Sequence, residues 1–245
     1  MRLLVSVRNA GEAAIARSGG ADIIDAKEPA AGALGAVQLA TFHTIVDVVS
    51  AACPVTAALG DAVDERAIEH TAASYARAGA SLVKVGFAGI ASPSRVVSLL
   101  AAARAGAAGD AGVIATAYAD ADRVASLNPL AMIDAAAAAG AAGILLDTAD
   151  KQGPGLPGLM SPATLSAWVN RARDVRLVVA LAGKLTEADV GMVVDTGADI
   201  VGVRGAACDN GRTGQIAAAR VRALRSAVAR RSAPARVLAP AAACE

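Results

Sequence analysis

A chain of 245 residues with 23 Lys and Arg against 22 Asp and Glu carries a formal net charge of +1, which leaves no overall field to draw nucleic acid or an anionic membrane. Apolar residues make up 55% and aromatic residues 2%; no apolar run reaches the ~18 residues of a membrane span, and the N-terminal apolar stretch is too short for a secretory leader, so a cytoplasmic protein is expected. Three cysteines, Cys53, Cys208 and Cys244, are odd in number and far apart, which argues against a disulfide framework or a structural zinc site.

The first apolar run, residues 3–7, reads as a strand. A Gly-Ala step at Gly20-Ala21 precedes the second, Ile23-Ile24-Asp25-Ala26-Lys27, which Pro29 brings to an end. Residues 55–59 form the third, running into Gly60-Asp61, and Gly79-Ala80 introduces the fourth, Leu82-Val83-Lys84-Val85-Gly86. Residues 113–117 give the fifth, followed by Tyr118 and Asp120; Gly140-Ala141 introduces the sixth, residues 143–147, ending on Asp147 with Lys151 just beyond. Residues 177–182 lead into Gly183-Lys184, and after Gly197-Ala198 the last strand ends in Val203-Arg204-Gly205-Ala206. Ala-rich helical stretches separate the runs. From about residue 229 to 245 the prolines and missing amphipathic period predict a flexible tail, leaving residues 1–228 for the folded domain.

The four Gly-Ala steps recur about every sixty residues, and each interval holds two strand-plus-helix pairs. Eight alternating units of short, nearly continuous apolar strands predict one α/β domain, a single TIM (β/α)8 barrel, with a doubly wound open sheet as the alternative. Period-two alternation puts Asp25 with Lys27, Lys84 with Gly86, Leu145 with Asp147, and Gly202 with Arg204 on equivalent faces. Facing the barrel axis at strand C-termini, these charges would floor an active site.

The chain has four lysines, Lys27, Lys84, Lys151 and Lys184, each at or just past the end of a predicted strand, while its other cations are arginine. A desolvated Lys amine can serve as a base or a Schiff-base nucleophile, which Arg cannot. Lys27 beside Asp25 is thus a Schiff-base candidate, or alternatively a phosphate contact or salt-bridge partner. Lys84 is a candidate general base, or the structural partner of a carboxylate, and Asp147 with Lys151 offers a proton-shuttling pair. Gly183, Lys184, Arg204, Gly205 and Ala206 follow the seventh and eighth strands, where barrels bind phosphate. Asp61 and Asp120 read either as rim carboxylates or as helix caps, and Asp150 as a solvated loop residue. His43 and His70 stand alone on helices, so no metal is expected; Trp168 reads as packing and Cys208 has no neighbour that marks a nucleophile.

The segments D-I-I-D-A-K-E-P, V-K-V-G, L-L-D-T-A-D-K, A-G-K-L and G-V-R-G-A-A together resemble the (5-formylfuran-3-yl)methyl phosphate synthases, over nearly the whole chain from Leu3 to about Arg220. The resemblance implies a cofactor-free TIM-barrel lyase that condenses two glyceraldehyde 3-phosphate molecules, with loss of phosphate and two waters, to 4-(hydroxymethyl)-2-furancarboxaldehyde phosphate for methanofuran or methylofuran. It implies Lys27 as the Schiff-base residue, Lys84 as the proton acceptor, and catalytic parts for Asp147 and Lys151. The loop from Gln152 to Leu156 departs from the resemblance in being less acidic. A class I aldolase acting on a sugar phosphate and a non-catalytic phosphate sensor are the rival readings. The expected partner is a triose phosphate, with no nucleic acid or membrane; the small-residue outer helices are compatible with a homo-oligomer.

Overall fold

Parallel strands that bury both faces need one set of side chains for the barrel interior and another for the surrounding helices, and the chain supplies both by strict alternation. The structure, a computed structural model, describes residues 1–231. Its eight strands are β1 Arg2–Val7, β2 Ile23–Ala26, β3 Val55–Asp61, β4 Leu82–Gly86, β5 Gly112–Tyr118, β6 Gly143–Asp147, β7 Val178–Leu181 and β8 Ile200–Val203. They pair in sequence order, all parallel, and β8 returns to β1 to close the barrel. Closure removes the open-sheet alternative.

The helices are α1 Ala10–Ser18, α2 Leu39–Val49, α3 Glu65–Arg77, α4 Pro93–Ala107, α5 Pro129–Ala138, α6 Leu156–Leu159, α7 Pro162–Asp174, α8 Val190–Asp195 and α9 Ala218–Arg231. Their starts are chemically marked: Asn9, Asp64, Ser92, Asn128 and Ser161 each accept a backbone N–H of the first turn, and Pro opens α4, α5 and α7. Helix α9 continues past the boundary expected at residue 228, and the remainder of the expected tail lies outside the described residues.

The Gly-Ala repeat has a backbone cause. Gly20, Gly79, Gly140 and Gly197 all take positive φ just after a helix, where only glycine enters the left-handed region without cost. In the first three units the Gly N–H bonds three residues back and the Ala N–H five back, as in Ala21 N–H to the Ala16 carbonyl at 3.1 Å. This is a Schellman cap, which stops the helix and turns the chain into the next even-numbered strand.

Alternation then divides the strand residues. Leu3, Val5, Val83, Val85, Ile144, Leu146 and Val201 join the large apolar layer between strands and helices. Leu4, Ile23 and Ile200 meet inside the barrel, as do Ala58, Ile114, Tyr118 and Leu145. The loop after β2 folds Ala33 and Leu34 onto this second interior cluster. Part of the barrel is thereby plugged with apolar side chains, and a cavity of about 360 Å³ remains, lined along its rim by residues from the loops after β7 and β8.

Candidate active site

The deepest charged group is Asp25, which has no exposed surface. A buried carboxylate must be hydrogen-bonded and neutralised, and the register of three strands does both. Ser6 and Thr56 stand level with Asp25 on β1 and β3; their hydroxyls donate to it at 2.8 and 2.7 Å, and Lys84 Nζ lies 2.5 Å away. Lys84 itself is 5% exposed.

Lys27 follows the last residue of β2, with its backbone N–H fixed to the Val7 carbonyl at 2.9 Å. Its side chain lies 4.0 Å from Asp147 Oδ2, while Lys151 Nζ is 2.8 Å from Asp147 Oδ1. The three residues expected from separate strands and loops thus meet around one carboxylate. Burial pushes the Lys27 amine down, Lys84 and Lys151 add like-charge repulsion, and Asp147 opposes them; the result is about 8 in place of 10.5. For Asp147, burial pushes the carboxyl up, but Lys151 and Lys27 outweigh it and hold the group below its ordinary value.

The shift has a direct consequence at pH 7, where about one Lys27 amine in ten is neutral, against roughly one in three thousand for an ordinary lysine. Below the midpoint the protonated amine cannot attack a carbonyl, and above it the neutral form dominates. Borohydride-trapped adduct formation with a subsaturating aldehyde should therefore rise about tenfold per unit up to pH 7, then level off near pH 8. A rise that continues to pH 10 would contradict this environment for Lys27.

Gly86, the glycine of V-K-V-G, is explained by its neighbours. A side chain there would collide with Asp61 Oδ1 and the Tyr118 hydroxyl, which are hydrogen-bonded to each other at 2.7 Å. Asp61 also accepts the Ala88 N–H, and Asp64 rather than Asp61 caps α3. Asp120 stands at the start of the 3-10 turn Ala121–Val124 but its side chain does not cap it: its two oxygens accept the N–H groups of Ala149 and Asp150 at 2.7 and 2.8 Å and so hold the loop between Asp147 and Lys151. Asp150 lies on the outside of that loop, paired with Arg123.

At the phosphate end, Gly183 and Lys184 both have positive φ, and Gly183 is packed closely enough that a Cβ would lie 3.0 Å from Thr148 Cγ2. Lys184 reaches the Gly153 carbonyl. Arg204 departs from the expected part. Its Nε donates to the Arg212 carbonyl, Nη1 to Ser6 O and Glu12 Oε2, and Nη2 to Glu12 Oε1 and Gly214 O. A guanidinium has five N–H donors, so every one is spent within the protein and a direct Arg204-phosphate contact has no donor left. Arg204 instead forms a buried ion pair with Glu12 at 2.9 Å.

Sequence reading missed Ser6, Thr56, Glu12, Tyr118 and Arg212. The first two were recoverable, since they are the polar members of the inward set on β1 and β3. The others depend on contacts between distant loops. His43 and His70 lie on α2 and α3, and no group of three potential metal ligands occurs among the described residues. Trp168 is buried in α7 with its indole N–H on the Pro129 carbonyl. Burial pushes the Cys208 thiol up, away from nucleophilic use. No described helix is long and apolar enough to cross a membrane.

Among solved structures, 3-hexulose-6-phosphate synthase superposes with a TM-score of 0.61 at 23% identity, covering 93% of this chain and all of that one. Orotidine 5′-phosphate decarboxylase from Pyrococcus horikoshii gives 0.64 at 15% identity, covering 93% and 99%; both share the barrel. The sequence itself is 38% identical to the (5-formylfuran-3-yl)methyl phosphate synthase of Methanopyrus kandleri, over 93% of this chain and 99% of that protein. The Methanocaldococcus jannaschii enzyme of the same name is 38% identical over 86% and 92%, and that of Methanothermobacter thermautotrophicus 37% identical over 92% and 98%. The family description for 4-HFC-P synthase matches residues 3–225, which span the whole cavity and all eight strands but for Arg2, and the protein is accordingly an enzyme belonging to the 4-HFC-P synthase family.

Proposed function

We propose that this enzyme condenses two molecules of glyceraldehyde 3-phosphate through a Schiff base at Lys27. The products are 4-(hydroxymethyl)-2-furancarboxaldehyde phosphate, one inorganic phosphate and two waters. The observation that carries this reading is the depressed Lys27 amine, held between Asp147 and two other lysines inside a barrel whose relatives carry the synthase name.

The neutral Lys27 amine adds to the aldehyde of one triose phosphate, and the adduct, taking one proton from Lys151, expels water and leaves an iminium. The iminium draws electrons from the neighbouring carbon and acidifies its C–H. Lys84, once its own proton has passed across the 2.5 Å contact to Asp25, accepts that proton, and the resulting enamine attacks the second aldehyde or expels phosphate from the adjacent carbon. Ring closure and dehydration require further proton transfers, for which Lys151 and Asp147 are already hydrogen-bonded. One phosphate leaves and one remains on the furan, so the site must retain a phosphate while the other departs. Gly183, Lys184, Gly205 and Ala206 line the cavity where an anion would be held.

Incubation with glyceraldehyde 3-phosphate and sodium borohydride, followed by peptide mapping, should place the reduced adduct on Lys27. Without borohydride, free phosphate and furan absorbance should rise together. Adduct without phosphate release would indicate an aldolase, and ligand binding without adduct a sensor.

A further inference from the structure

Six cationic side chains line the cavity. Four are matched by carboxylates: Lys27 and Lys151 by Asp147, Lys84 by Asp25, and Arg204 by Glu12. Lys184 and Arg212 are the two with no carboxylate partner among the described residues.

Arg212 is half-buried. Its Nη1 and Nη2 donate to the carbonyls of Pro29 and Gly32, at 2.5 and 2.7 Å, in the loop that follows Lys27. Two of five donors are thus used, and the other three have no protein acceptor among the described residues. A half-buried guanidinium with three unspent donors at the cavity rim can offer charged hydrogen bonds to an anion.

The backbone that carries Arg212 is held from below. Arg204 Nε donates to the Arg212 carbonyl at 2.8 Å and its Nη2 to that of Gly214 at 3.2 Å, while Arg8 Nη1 reaches the Thr213 carbonyl at 3.1 Å. Both arginines share ion pairs with the one carboxylate of Glu12, which is 5% exposed. The backbone of Arg212 stands beside Gly205, with its Cα 3.7 Å from where a Gly205 Cβ would be. The loop after β8 therefore contains one arginine that is spent on architecture and one that is kept available at the cavity rim.

We propose that Arg212, together with Lys184, binds the phosphate of the substrate, and that Arg204 and Glu12 are positioning residues that hold the Arg212 loop. This rests on the triose-phosphate reading above. Because the same guanidinium is tied to Pro29 and Gly32, phosphate capture also braces the segment that presents Lys27.

The test is calorimetric titration of the full-length protein with inorganic phosphate, comparing wild type with Arg212→Gln, Arg212→Lys and, as an outer-helix control, Arg222→Gln. Phosphate affinity should fall about tenfold or more in Arg212→Gln, recover in part in Arg212→Lys and stay unchanged in Arg222→Gln, as expected for loss of a charged hydrogen-bond donor. Equal phosphate affinity in wild type and Arg212→Gln, or no phosphate binding by wild type, overturns the proposal. Borohydride trapping on the same proteins adds a ratio that a merely structural defect would not move: the preference for glyceraldehyde 3-phosphate over glyceraldehyde should collapse in Arg212→Gln, and an unchanged preference also overturns it. If wild type forms no Lys27 adduct with either aldehyde, the Schiff-base reading fails, while the phosphate titration still decides the part of Arg212.

Discussion

Lys27→Arg is expected to abolish the borohydride-trapped adduct and to lower turnover by at least about three orders of magnitude, because the covalent intermediate is lost outright. The substitution isolates nucleophilicity from charge. Arginine keeps a cation next to Asp147, so the buried carboxylate retains a partner and the fold should survive, but a guanidinium stays protonated and cannot add to a carbonyl. A melting temperature near that of wild type, combined with no adduct and no phosphate release, is the expected result. Full turnover by Lys27→Arg would remove Lys27 from the chemistry.

Asp25→Ala is expected to cost about 3–5 kcal/mol of stability, since it strands the Lys84 ammonium in the barrel interior and leaves the Ser6 and Thr56 hydroxyls without their acceptor. Urea unfolding measures this as a lower midpoint. Lys84→Met added to Asp25→Ala should restore part of the loss, because an apolar side chain needs no counter-charge; a double variant no better than the single one would mean that the pair is not energetically coupled. Turnover should be lost in both, since the proposed proton carriers are gone. Ser6→Ala by comparison should cost only about 1 kcal/mol, the worth of one hydrogen bond.

The two expectations rest on residues that were legible from sequence, and the reason is geometric. Asp25 and Lys84 are on strands and Lys27 directly follows one; side chains there alternate with period two and neighbouring strands run in register, so local order fixes which of them share a face. Asp147 and Lys151 were legible for the same reason with one short loop added. Arg204 was legible in place but not in chemistry. Its inward position at the end of β8 follows from alternation, whereas the use of its donors depends on Glu12 of α1, far away in the chain.

By itself the sequence determined the number of βα units, through Gly-Ala steps that become left-handed helix caps, whereas the structure places Lys84 in the middle of β4 and only Lys27, Lys151 and Lys184 beyond strand ends. The sequence also determined which strand side chains face the helices and which face the barrel interior, because each of these is a local or strictly periodic property of the backbone. Only the tertiary structure decided closure of β8 on β1, the plug formed by Leu34, and the pairing of Asp61 with Tyr118 over Gly86. It likewise decided that the available arginine at the rim is Arg212 and not Arg204. Hydrogen bonds and ion pairs are saturable: whether a given donor is free depends on every acceptor that folding brings within about 3 Å of it, most of them remote in sequence.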